Sequence, residues 1–159
     1  MENSELILES AGVAATQTLG EQLGGLLRSG DVLALMGDLG AGKTAFTQGL
    51  ARGLGIRVPV TSPTFTLVNQ YRAPIGLFLQ HVDCYRLANA PSEMWDIGLA
   101  DLLAGDDIVV VEWADRIPAL LPDAFLEIAF AYVDDTRRLI RFVAHGPRYV
   151  ALLQQLGRV

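Results

Sequence analysis

Gly37-Asp38-Leu39-Gly40-Ala41-Gly42-Lys43-Thr44 (GDLGAGKT) lies between an apolar run, DVLALMG (31–37), and a segment of helical spacing, AFTQGLARGLG (45–55). The run is bounded by turn residues and reads as a strand buried on both faces. The segment carries Phe46, Leu50 and Leu54 on one stripe, which reads as a helix packed by one side. Strand, glycine-rich turn and helix, spelled G-x-x-x-x-G-K-[ST], form the pattern of a phosphate-binding loop in the context that loop requires. Glycines let the backbone curl until successive N–H groups face an anion. The helix N-terminus adds partial positive charge. A lysine in this place reaches β- and γ-phosphates, and a threonine offers its hydroxyl to Mg²⁺. Asp38, Gly40, Ala41, Gly42, Lys43, Thr44 and Ala45 are therefore the candidate nucleotide-binding residues. Of the twelve basic residues, Lys43 is the only lysine.

Working outward, LILES (6–10) reads as a strand, and 12–30 as a helix ending at Gly30. Residues 56–65, with two prolines and three hydroxyl residues, read as a loop. TLVNQYR (66–72) and LFLQHVDCYRL (77–87) are strand-like around the turn APIG. Residues 89–107 look helical with breaks, beginning near Pro91. IVVVEW (108–113) is a second buried strand that ends in an acid. FLEIAFAYV and RRLIRFVAH flank the turn DDT (134–136) as a hairpin, and GPRYVALLQQLGRV (146–159) closes as a short helix. Alternating strands and helices early in the chain predict an α/β fold with a partly parallel sheet flanked by helices, and the hairpins make that sheet mixed.

Length and composition bound the rest. The 159 residues suit a single domain over 1–159, and 51% hydrophobic against 19% charged residues excludes a disordered chain. A net charge of −6 argues against a broad electrostatic grip on nucleic acid. The one cysteine, Cys84, excludes an internal disulfide, fits a reducing compartment and reads as a small buried hydrophobe. The N-terminus lacks the pattern of a signal peptide, and no apolar run approaches a membrane span, so a cytoplasmic protein without membrane attachment is expected.

The base and the chemistry come from other positions. Guanine readers of this class use N-K-x-D, which a chain whose only lysine is Lys43 cannot contain, so ATP is the expected nucleotide. Glu112 ends a buried strand, where parallel sheets place their ligands, and can hold Mg²⁺ or orient water. HVDCYR ends another strand, and Asp83 within it offers a second carboxylate, on Mg²⁺ or on water. His81, two residues earlier on the same side, reads as a packed, hydrogen-bonded histidine. Thr64, within TSPTF (61–65), stands where nucleotide switch segments lie and could lend a hydroxyl near the γ-phosphate. Arg86 is open between phosphate and a surface acid. Trp95 and Trp113 read as packing residues, with Trp113 beside Glu112.

GDLGAGKT, SPTF, HVDCYRL, EMWDIGLADLL, IVVVEW and LLP, in that order, resemble the TsaE family, formerly called YjeE. This is the bacterial ATPase-like component of the tRNA threonylcarbamoyladenosine system. The resemblance runs from about Leu6 to the final helix. It implies a small α/β phosphate-loop domain, ATP and Mg²⁺ binding, and weak hydrolysis by the isolated protein. It also implies a complex with TsaB and TsaD, with tRNA reached only through them. TsaD performs the transfer to the adenosine next to the anticodon; the ATP cycle of TsaE supports repeated turnover of the pair. By position, the resemblance assigns Lys43 and Thr44 to phosphate and Mg²⁺. It gives Glu112 to Mg²⁺, Asp83 the catalytic aspartate's place, and Ser62 to Phe65 the switch-like segment. Thr16 and Arg137 become candidates for the adenine pocket. Two other readings share the nucleotide site: a small phosphate-loop kinase acting on a metabolite, and a nucleotide sensor without meaningful catalysis. The kinase would need a lid bringing arginines to the γ-phosphate, whereas Arg137, Arg138 and Arg141 fall in the predicted hairpin.

Overall fold

The computed structural model describes residues 4–38, 40–63, 68–85 and 98–158. In chain order they form β1 (Glu5–Ser10), α1 (Val13–Gly24), β2 (Val32–Gly37), α2 (Lys43–Gly53), β3 (Val68–Arg72), β4 (Phe78–Asp83), α3 (Leu99–Leu103), β5 (Ile108–Glu112), β6 (Phe125–Tyr132), β7 (Arg138–His145) and α4 (Pro147–Leu156). Two 3₁₀ turns, Ala114–Arg116 and Pro118–Leu120, join β5 to β6.

The strands make one seven-stranded sheet in the order β1-β7-β6-β2-β5-β4-β3. β2 lies at its centre, parallel to β5 on one side and to β6 on the other, and β4 runs parallel to β5. The β3–β4, β6–β7 and β1–β7 pairs are antiparallel. The expected α/β fold with a mixed, partly parallel sheet is the one observed.

Strand alternation divides the core between the two faces. Leu33, Leu35, Leu79, Val110, Ile128 and Phe142 point to the side of α1, α2 and α4, where they pack with Leu23, Phe46, Leu50 and Leu152. Val32, Ala34, Val82, Val109 and Val111 point to the other side, against Leu99 and Leu103 of α3 and Ala114 and Ile117. The strand of DVLALMG is thus buried on both faces, as its continuous apolar pattern requires.

Several boundaries differ from the sequence reading. The first helix stops at Gly24, with Gly25 as its C-cap, and does not continue to Gly30. The Asp31 carboxylate accepts the Arg28 N–H at 2.8 Å, a local bond that competes with helical pairing, and Gly30 turns with φ +85°. The strand through HVDCYRL ends at Asp83, and the one through IVVVEW ends at Glu112. Trp113 leaves that strand in the left-handed region, φ 58°. Of the helix expected over 89–107, only Leu99–Leu103 falls among the described residues; Thr64, Phe65, Arg86 and Trp95 lie outside them.

Candidate functional site

The loop after β2 is shaped by its glycines. Gly37, Gly40 and Gly42 take φ values of +141°, +77° and +113°, conformations that a side chain would strain. At Gly37, which pairs with Phe130 on β6, a Cβ would also lie 2.7 Å from the Phe130 carbonyl oxygen. The loop delivers the chain into α2, whose first two residues are Lys43 and Thr44.

Lys43 is folded back over the loop. Its Nζ donates to the carbonyl oxygens of Gly37 at 2.6 Å and Asp38 at 2.9 Å, and lies 4.1 Å from the centre of the Trp113 ring. The left-handed backbone at Trp113 is an unusual conformation for a bulky residue at a site edge. Tyr85 packs against Trp113 with ring centres 4.8 Å apart, and the Arg116 guanidinium lies over both rings. Burial lowers the proton affinity of Lys43, and Glu112, Asp115, Asp83 and Asp38 act against that shift.

The acids come from the carboxyl ends of two parallel strands. Asp83 on β4 is the register partner of Glu112 on β5, and both side chains share the face of Leu79 and Val110, the side of α2. Thr44 Oγ1 lies 2.8 Å from Ser62 Oγ and donates a longer bond, 3.4 Å, to Glu112 Oε1. Glu112 is 3% exposed, and its Oε2 accepts a hydrogen bond from His81 Nε2. Asp83 accepts the Tyr85 N–H at 2.9 Å. Burial raises the Asp83 pKa, with the Glu112 charge adding to the rise and the Tyr85 N–H opposing it. Cys84 is buried beside these groups, and burial pushes its thiol up to about 12, which leaves it inert.

A cavity of about 220 Å³ is lined by Gly12, Thr16, Gly42, Ala45, Thr136 and Arg138, among others. Thr16 lines this cavity, with its hydroxyl 2.6 Å from Ser10 Oγ. Arg137 does not line the cavity: it pairs with Asp134 at 2.7 Å and with Glu9 at 3.4 Å. Arg138 lines it instead and stacks over Tyr132 at 4.0 Å. Alternation could have found this, because Arg138 shares the parity of Ile140 and Phe142, whose side chains face the helices.

The fold thus brings Lys43, Thr44, Asp83 and Glu112 together. What the sequence did not supply is Ser62 on the Thr44 hydroxyl, His81 on Glu112, and Arg138 at the cavity.

The family model for the threonylcarbamoyl adenosine biosynthesis protein TsaE matches residues 10–140. The chain belongs to the TsaE family. A Bacillus subtilis (strain 168) tRNA threonylcarbamoyladenosine biosynthesis protein TsaE is 42% identical over 143 residues, covering 90% of this chain and 88% of its own. A TsaE of Treponema pallidum (strain Nichols) is 41% identical over 125 residues, 79% of this chain and 90% of that one. The crystal structure of Bacillus subtilis YdiB superposes with a TM-score of 0.83 at 37% identity, covering 97% of this chain and 95% of that one. The TsaE fold of this chain is thus P-loop NTPase-like over nearly its whole length. Among the described residues no helix is long and apolar enough to cross a membrane.

Proposed function

We propose that this TsaE-family chain is a cytoplasmic, Mg²⁺-dependent ATPase, slow by itself, that supports TsaB and TsaD in threonylcarbamoyladenosine modification of tRNA. It neither carries out the transfer nor grips tRNA directly. The observation that carries the nucleotide reading is the meeting of Lys43, Thr44, Asp83 and Glu112 at the carboxyl ends of β2, β4 and β5. The donors there are hydroxyl and carboxylate oxygens, the hard ligands that Mg²⁺ takes. Among the described residues no group of three or more His, Cys, Asp or Glu could cage a metal by itself.

Within this reading the loop N–H groups and the start of α2 bind the phosphates, and Lys43 exchanges its loop carbonyls for phosphate oxygens. Thr44 and Glu112 would hold the metal, which would supply positive charge against that developing on the departing γ-phosphoryl group. Asp83, whose carboxylate is more basic than usual, accepts a proton or hydrogen bond from the attacking water. Water forms the new bond to the γ-phosphorus, the bridging bond to ADP breaks, and the proton passes to solvent. The cavity beside Thr16 and Arg138 takes the base, with Arg138, itself stacked on Tyr132, as one of its lining residues.

The test is ATP hydrolysis by the purified chain, with and without active TsaB and TsaD. Strong stimulation by the pair, abolished by Glu112→Ala, is the expected result. No stimulation by an active pair would overturn the partner assignment, and phosphorylation of a small acceptor would favour a metabolite kinase.

A further inference from the structure

His81 has no role in the reading above. It lies in the middle of β4, fully buried, on the same face of the strand as Asp83. Its Nε2 donates to Glu112 Oε2, and its Nδ1 has no hydrogen-bond partner among the described residues. A histidine kept for packing alone could be replaced by an apolar ring of similar size without orphaning a buried nitrogen. Here the buried polar atom is retained, and the one bond it makes goes to the carboxylate at the site.

That bond has a geometric consequence. Glu112 has two oxygens. With Oε2 committed to the imidazole, Oε1 is the one left facing Thr44. A glutamate at a strand end otherwise has three rotatable side-chain bonds with which to leave the site. We infer that His81 is a positioning residue that locks the Glu112 carboxylate in the orientation presenting Oε1 to the metal beside Thr44. This rests on the proposed Mg²⁺–nucleotide reading. Partners of this kind change metal affinity by about 10–100-fold when removed, while leaving the ligand itself in place.

The test compares His81→Gln with His81→Asn in the full chain. A glutamine amide nitrogen reaches about as far as Nε2; an asparagine amide reaches only as far as Nδ1. The readouts are the Mg²⁺ concentration giving half of the metal-dependent gain in affinity for a fluorescent ATP analogue, and the analogue's affinity in EDTA. The asparagine variant should raise the Mg²⁺ requirement about tenfold or more, with metal-free affinity changed less than about twofold, and glutamine should restore most of the loss. Adding His81→Asn to Glu112→Ala should cost nothing further. Equal impairment by both substitutions, an unchanged Mg²⁺ requirement in the asparagine variant, or additive losses with Glu112→Ala would each overturn the inference.

A wild-type measurement decides the matter if the variants fold poorly. The chain has two histidines, so the imidazole ¹⁵N spectrum can be assigned. His81 should carry its proton on Nε2, and that resonance should shift when Mg²⁺ is added to the nucleotide-bound protein but not on nucleotide alone. A resonance indifferent to Mg²⁺ would sink the inference. Wild-type protein whose ATP affinity ignores Mg²⁺ would instead sink the metal reading on which it depends.

Discussion

At the scale of single residues, the site holds charges that its surroundings disfavour. Burial lowers the proton affinity of Lys43 and raises that of Asp83. For Asp83 the folded chain holds its proton more tightly than the unfolded chain does. Stability therefore falls as pH rises from the unfolded carboxylate value through the raised folded value, and the cost persists at neutral pH. Asp83→Asn should accordingly raise the melting temperature at pH 7, by about 2–4 °C for each kcal/mol relieved, with the gain shrinking toward zero near pH 4. Thermal unfolding across that range checks it; an asparagine variant less stable at pH 7 would show that the carboxylate is favourably held. Lys43→Ala removes two charge-assisted bonds within the loop and the cation meant for phosphate. Bonds to charged groups are worth about 1.5–3 kcal/mol, so ATP affinity or turnover should drop roughly 10–100-fold. Because a costly buried charge goes with it, the melting temperature should hold. Calorimetry and turnover read the first effect, thermal unfolding the second, and unchanged ATP handling would remove Lys43 from the site.

Among elements, the contact that sets the loop's place is α1 against α2. Gly20 and Gly24 on α1 meet Gly49 and Gly53 on α2 so closely that no side chain fits. A Cβ on Gly49 would lie 2.0 Å from the Gln17 carbonyl oxygen, and one on Gly24 would lie 2.4 Å from the Leu50 carbonyl oxygen. Alanine is the better helix former by about 1 kcal/mol, yet Gly49→Ala should destabilise, because overpacking by backbone contact costs about 1–3 kcal/mol or more. Thermal unfolding decides between the two terms, and a higher melting temperature would mean the helices separate easily. Here the sequence was only half legible. Apolar spacing placed both helices, but glycines at 20, 24, 49 and 53 read locally as weak helix or turn residues, and their purpose exists only once the two helices touch. The end of α1 was misplaced for a related reason: the Asp31 carboxylate that satisfies Arg28 N–H is invisible to periodicity.

For the whole molecule, the phosphate loop was legible because its signal is local, eight consecutive residues between a strand and a helix. The strand order was not. Nothing near FLEIAFAYV says that β6 lies parallel beside β2, or that β2 ends up between β5 and β6. Both acids were found because they end strands; their facing each other depends on the β4–β5 register. The same topology separates stability from function along β2. Its carboxyl end leads into the loop, while its amino end is tied to α4: Arg148 pairs with the Asp31 carboxylate at 2.7 Å, and Tyr149 Oη accepts the Val32 N–H at 2.9 Å. Asp31 is nearly buried, so Arg148→Ala leaves its charge with little beyond the Arg28 N–H. Breaking such a pair costs about 3–5 kcal/mol, and the partial exposure of Arg148 puts the expected loss at the low end of that range. Replacing both members, Asp31→Asn with Arg148→Met, should recover part of it, since no buried charge then remains. The six residues of β2 span about 20 Å at a strand's rise, so neither change should alter ATP affinity measured below the new melting temperature. Denaturant unfolding and nucleotide titration on the same samples separate the two ends. A fall in ATP affinity in the folded Arg148→Ala protein would mean that α4 holds the phosphate loop in place as well as the sheet.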